Sequence, residues 1–199
     1  MQIFLSLLFV ALAIGCLQGF QGQENAPSVT VSGKGIEEEA LKKIKNGIGD
    51  AVLPYPGITY DSINVTARKQ GSSISLEVLA SAHPGLAEGV DIYSFIYDPG
   101  SDEFFLKGYS LENLHLSVKD DAINVALQSD ELTQLLESMA LFQEEPTVKR
   151  ILPATSEKFY QPKTLFSVTW RDYETGNVVS ALVDPGEGKL VQLWSREEQ

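Results

Sequence analysis

The chain has 199 residues, with 15 Lys and Arg against 27 Asp and Glu, two His and one Cys, for a formal charge of −12. That acid excess excludes a general nucleic-acid binder, which needs a basic footprint to release counterions. One cysteine excludes an internal disulfide framework, and with two histidines it cannot fill a four-ligand Cys/His zinc site. The composition, 43 % hydrophobic and 21 % charged, is that of a globular chain long enough for one large or two small cores.

The first 22 residues carry no charge, and their apolar stretch runs through 3–5 and 7–14 before Gly19 and Gly22. The run is too short for a membrane span, which needs about 20 apolar residues, and reads as a cleaved secretory leader over 1–22. The expected location is therefore extracellular. In a bacterial cell Leu12-Ala13-Ile14-Gly15-Cys16 would instead offer Cys16 as a lipidated first residue. Asn64-Val65-Thr66 is an N-glycosylation sequon, which places Asn64 at the surface.

Residues 35–52 read as an amphipathic helix. Ile36, Ala40, Leu41, Ile44, Ile48 and Val52 share one face, and Glu37–Glu39 suit the positive end of the helix dipole. Leu53-Pro54-Tyr55-Pro56-Gly57 ends it. Period-two alternation then marks strands over 58–69 and 73–78, joined by Gln70-Gly71-Ser72, and a second pair over 90–97 and 103–109 around Asp98-Pro99-Gly100-Ser101. With a short strand over 29–31, the order is β-α-β-β-β-β.

The second half reads as a repetition of this order. Residues 123–127 suggest a strand. Ser129 caps a helix burying Leu132, Leu135, Leu136, Met139 and Phe142, and four strands follow over 148–152, 165–171, 178–183 and 190–194. Tyr97-Asp98-Pro99-Gly100 and Val183-Asp184-Pro185-Gly186 match locally. The polar stretch 111–121 is read as the boundary. The expected fold is α+β: two tandem units over 28–112 and 122–199, each one helix packed on an antiparallel sheet.

No nucleophile elbow, phosphate loop or dinucleotide fingerprint occurs. His83 and His115 fall in loops, and neither has a marked nucleophile beside it. The chain is read as non-enzymatic, with no cofactor and no resident metal. Asp98, Asp102 and Glu103, echoed by Asp184 and Glu187, offer oxygen ligands for weak calcium binding at most. Trp170 and Trp194 sit in apolar alternation and read as core or rim.

The first half resembles the cystatin superfamily, in particular its disulfide-free stefin type. The resemblance rests on the helix, the Pro/Gly connection, Gly71 followed by Ser73-Ile74-Ser75-Leu76-Glu77-Val78, and the run from Pro99 to Tyr109 that ends Leu106-Lys107-Gly108-Tyr109. The tandem arrangement is similar to latexin-type inhibitors. The resemblance implies two cystatin-like units and a protein partner, a papain-like cysteine protease or a metallocarboxypeptidase, blocked by insertion into its cleft. Carried over by position, the inserted pieces are Gly33 or Gly35 in the N-terminal trunk, Arg68, Lys69, Gln70 and Gly71 in the first hairpin, and Pro99 and Gly100 in the second. The family's Q-x-V-x-G hairpin keeps only its glycine here: Ala67 stands for the Gln, and Lys69 puts a strongly hydrated charge where the family has Val. The alternative expectation is an acidic, glycosylated matrix protein that binds calcium weakly.

Overall fold

The computed structural model describes residues 26–153 and 163–196. The leader with Cys16 lies outside the described residues. Within them the chain forms β1 (Ser28–Lys34), α1 (Glu38–Ala51), β2 (Tyr60–Gln70), β3 (Ser73–Ala82), β4 (Asp91–Asp98), β5 (Glu103–Leu111), α2 (Leu116–Leu127), α3 (Asp130–Ser138), β6 (Thr147–Ile151), β7 (Leu165–Arg171), β8 (Val178–Asp184) and β9 (Lys189–Arg196). No described helix is long and apolar enough to cross a membrane.

The expected pair of helix-on-sheet units is replaced by one nine-stranded sheet whose strands follow in chain order from β1 to β9. It is mixed, because β1 runs parallel to β2 through the α1 crossover while the other neighbours are antiparallel. Continuity comes from Leu111 of β5, which pairs with Arg150 of β6. Leu111 belongs to the apolar cluster under α1, and Val148, on the same face as Arg150, belongs to the cluster under α2 and α3. All three helices therefore cover the same face of the sheet.

Alternation was a sound guide to the hairpins and a poor one between them. Residues 123–127 are the C-terminal half of α2, not a strand. The apolar positions that decide it are Ala122 and Ala126, fully buried one helical turn apart. The expected boundary 111–121 supplies the end of β5, the connection after it and the first half of α2. α3 begins where expected, with Ser129 Oγ accepting the Leu132 N–H at 3.3 Å. It stops at Ser138, however, and Ala140 turns the chain with φ +57°, so Phe142 is 49 % exposed instead of buried.

In α1, Ile44 and Ile48 are wholly buried against the inward residues of β2 to β4, among them Ile63, Val65, Leu76, Val78, Tyr93 and Phe95. Burying a side chain of this size stabilises by about 1.5–3 kcal/mol, so this face is what commits the helix to the sheet. Beyond α1 a buried polar chain begins. The Leu53 N–H donates to Tyr93 Oη at 3.2 Å, and the Tyr93 and Tyr60 hydroxyls meet at 2.6 Å. Tyr60 donates to Asp91 Oδ2 at 2.6 Å, and the Asn113 N–H donates to Asp91 Oδ1 at 2.8 Å. Burial pushes the Asp91 carboxyl above its ordinary value, although the Tyr60 and Asn113 donors and the Arg150 charge pull the other way. Burial likewise raises the Tyr93 hydroxyl to about 12.

Arg150 ties this chain to the second half. It is 4 % exposed and donates from Nη1 to the Pro54 carbonyl at 3.0 Å and from Nη2 to the Leu53 carbonyl, with its guanidinium 5.7 Å from the Tyr55 ring centroid. Removing it leaves two carbonyls without donors and a void beneath Tyr55. Arg150→Ala is expected to lower unfolding free energy by about 2–4 kcal/mol, read as a shifted urea midpoint. A loss below about 0.5 kcal/mol, the ordinary range of a surface substitution, would contradict this role.

Candidate functional site

The residues singled out at the sequence level converge at one end of the sheet. Because β1 is parallel to β2, the end of β1 lies beside the end of β2, with Gly33 opposite Ala67 and Lys34 opposite Arg68. The antiparallel partners β3 and β4 bring the β2–β3 and β4–β5 turns to that same end, since Ile74 pairs with both Lys69 and Tyr97. Three segments remote in sequence thus form one edge.

Each turn is built by a local device. Gly71, at φ +63°, makes the tight turn between Gln70 and Ser73. At the second turn Asp98 Oδ1 accepts the Gly100 N–H at 2.8 Å, and the Asp102 N–H donates to the Asp98 carbonyl at 2.9 Å. Asp102 adopts φ +60° and accepts the Tyr97 hydroxyl at 2.5 Å. Burial and that bond raise the Tyr97 hydroxyl to about 12. On the trunk side, the Gly33 backbone passes so close to β2 that an added Cβ would lie 2.9 Å from Ile36 Cδ1 and 3.0 Å from the Ala67 carbonyl oxygen.

Between the three segments lies a cavity of about 270 Å³, whose wall includes Gly35, Lys69, Gly71 and Pro99 with Ile36 and Ile74. Gly33 and Arg68 border a neighbouring shallow depression that Lys69 shares. Gln70 and Gly100 stand at the turns themselves and line neither hollow. Lys34, Arg68 and Lys69 are all exposed, and none has an ion-pair partner among the described residues. These three cations sit on the β1–β2 side of the edge, while Glu37 lines the cavity wall and Asp98 and Asp102 stand at the β4–β5 turn. Ile36, Ile74 and Lys34 were absent from the sequence-level site. The first two announced themselves only as helix and strand apolar positions, and Lys34 joins the patch only through the parallel pairing with Arg68.

Asn64 is exposed in mid-strand, with Oδ1 accepting from Thr30 Oγ1 at 2.5 Å, about 20 Å along β2 from Gln70 at ~3.3 Å per residue. The remaining candidates are engaged elsewhere. His83 Nδ1 lies 2.7 Å from the Pro84 carbonyl oxygen, and His115 Nδ1 lies 2.7 Å from that of Leu86, with its ring edge-on to Tyr55. Asp184 and Glu187 both pair with Lys163, which holds their carboxyls below the ordinary range. Among the described residues no three His, Cys, Asp or Glu side chains are grouped to share a metal ion. Trp170 is core, 3 % exposed, whereas Trp194 lies half-buried on the opposite face. Compared with known proteins, the chain matches no family profile, no curated protein and no solved structure.

The close passage at Gly33 and the positive φ at Gly71 make both positions intolerant of a side chain for different reasons. Gly33→Ala is expected to cost about 1–3 kcal/mol through overpacking and Gly71→Ala about 1–2 kcal/mol through its backbone conformation. Urea denaturation of the two variants checks this, and a neutral result at either position would contradict the geometry of that segment.

Proposed function

We infer that this protein is an extracellular, non-catalytic binding protein whose partner seats on the edge formed by the β1–α1 connection and the β2–β3 and β4–β5 turns. The observation that carries this reading is the convergence of those three segments around one small cavity, flanked by the exposed cations Lys34, Arg68 and Lys69. Rigid turns on a packed sheet lose little conformational freedom on binding, which favours insertion into a cleft. The cationic patch favours a partner with an acidic rim and would raise the association rate in a salt-dependent way.

The partner class is a hydrolase, with papain-like cysteine proteases and metallocarboxypeptidases the first to test, on the resemblance of the first half to cystatins. The second half adds sheet and core to this edge without reaching it: β6 to β9 lie beyond β5, away from β1 and β2. The matrix-protein alternative draws less support, because the carboxylates it would use for calcium are engaged. Asp98 and Asp102 hold their own turn, and Asp184 and Glu187 are paired with Lys163.

The test is an inhibition and binding screen of the chain from Gln23 onward against both protease classes at two salt concentrations. Submicromolar inhibition of one class is expected, weakened about tenfold or more by Arg68→Glu with Lys69→Glu, since a reversed charge at a contact disfavours association by a few kcal/mol. Lys69→Val is expected to change selectivity between the classes. Inhibition indifferent to all these changes would remove the edge from the interface.

A further inference from the structure

The sheet face opposite the helices carries a second surface, formed in β6 to β9. It is a groove of about 590 Å³, and strand register sets its composition. Partners directly opposite in a sheet project to the same face. Arg171 of β7 pairs with Val178 of β8, which pairs with Arg196 of β9, so two arginines flank a valine in one row. Their backbones stand about 9.6 Å apart, two strand spacings. The next row is Thr147, Thr169, Ser180 and Trp194, a ladder of hydroxyls that ends on an indole. Within it Thr169 Oγ1 and Ser180 Oγ lie 2.8 Å apart.

The walls complete the set. Tyr173 is 84 % exposed and carries the Arg171 guanidinium 5.7 Å from its ring centroid. Lys149 Nζ contacts Glu112 Oε1 at 2.9 Å and donates to Ser110 Oγ at 2.9 Å, and Glu145 lines the same hollow. The groove thus combines guanidinium donors, carboxylate acceptors, hydroxyls and two aromatic rings, on a chain of net charge −12.

We propose that this groove binds an anionic oligosaccharide, a sugar chain bearing carboxylate or sulfate groups. Such a ligand uses each chemical class in the lining. Its acid groups meet Arg171 and Arg196, for which a planar guanidinium is the better-matched partner. Its hydroxyls donate to Glu112 and Glu145 and exchange hydrogen bonds with Thr169 and Ser180. The C–H face of a pyranose ring covers Trp194 or Tyr173, an apolar surface with a polar rim. An acidic peptide would satisfy the arginines alike but brings neither a pyranose face for Trp194 or Tyr173 nor a run of hydroxyls to match Thr169 and Ser180. The open, shallow form suits a chain lying across strands more than a small molecule that must be enclosed.

The test is calorimetric titration of the full mature chain with a heparin-derived hexasaccharide and with hexagalacturonate, followed in parallel by tryptophan fluorescence. The controls are maltohexaose, which is neutral, and hexaglutamate. Binding of at least one anionic sugar is expected, with a fluorescence change from Trp194 because Trp170 is enclosed in the core. The sulfate-bearing and carboxylate-bearing probes distinguish which acid group the arginines prefer. Arg171→Gln should weaken binding about tenfold, the scale of a lost charge-assisted hydrogen bond. Tyr173→Ala, at an exposed position that the fold does not depend on, should weaken it several-fold. Arg68→Glu with Lys69→Glu should leave it unchanged, which separates this groove from the turn edge. No binding of either anionic sugar at millimolar concentration would overturn the proposal. So would hexaglutamate or maltohexaose binding as tightly, or loss of binding in the edge variant with Arg171→Gln and Tyr173→Ala unaffected.

Discussion

A buried guanidinium makes a costly cross-link unless its donors are used, and Arg150 donates from both terminal nitrogens to backbone carbonyls while its Nε finds no partner among the described residues. Taking such a charge out of water is penalised by several kcal/mol, offset here by carbonyls fixed in place by the segment that leaves α1. Those carbonyls, at Leu53 and Pro54, are themselves positioned because the Leu53 N–H is held by Tyr93, which leads on through Tyr60 to Asp91 and the Asn113 backbone. One polar chain therefore touches β6, the connection after α1, β2, β4 and the segment after β5. An apolar contact at this seam would tolerate sliding; hydrogen bonds of this geometry hold the two halves in one register.

The other determining choice is the parallel pairing of β1 with β2. It requires a crossover, which α1 provides, and it delivers the end of β1 to the same edge as the two turns. Had β1 paired in the opposite sense, Gly33 and Gly35 would stand at the far end, and Lys34 would not neighbour Arg68. The charge distribution follows from that arrangement. Lys34, Arg68 and Lys69, which have no ion pair among the described residues, stand together at this edge, while many of the acidic side chains named here are committed to turns, to Lys163 or to Lys149.

Local periodicity carried much of this into the sequence. Ile44 and Ile48 marked the buried stripe of α1, and the alternation through Ile63, Val65 and Ala67 marked the inward face of β2. It failed where two periods overlapped: Ile123-Asn124-Val125 reads as alternation, yet Ala122 and Ala126 impose the helical repeat. Sheet continuity was illegible because it rests on Leu111 opposite Arg150, a non-local pairing with no local signature. An arginine on the inward side of β6, in phase with Val148, was the available hint. Of the candidate site, the turns were legible from Gly71 and Asp98-Pro99-Gly100. The cavity between them and the groove rows across β7 to β9 depend on register between strands, which composition and spacing do not encode. The duplicated Asp-Pro-Gly turns were real as turns and misleading as a sign of two separate units.

The central claim is that one sheet, joined at Arg150, unfolds as one body and so presents the turn edge on a rigid support. Both tryptophans, Trp170 and Trp194, lie in the second half, whereas Tyr60, Tyr93 and Tyr97 lie in the first. Equilibrium urea unfolding followed at once by tryptophan fluorescence and by tyrosine near-ultraviolet dichroism compares the two halves in one sample. Coincident transitions with a common midpoint and slope are the predicted result. Two separated transitions, with the tyrosine signal surviving after the tryptophan signal is lost or the reverse, would contradict it.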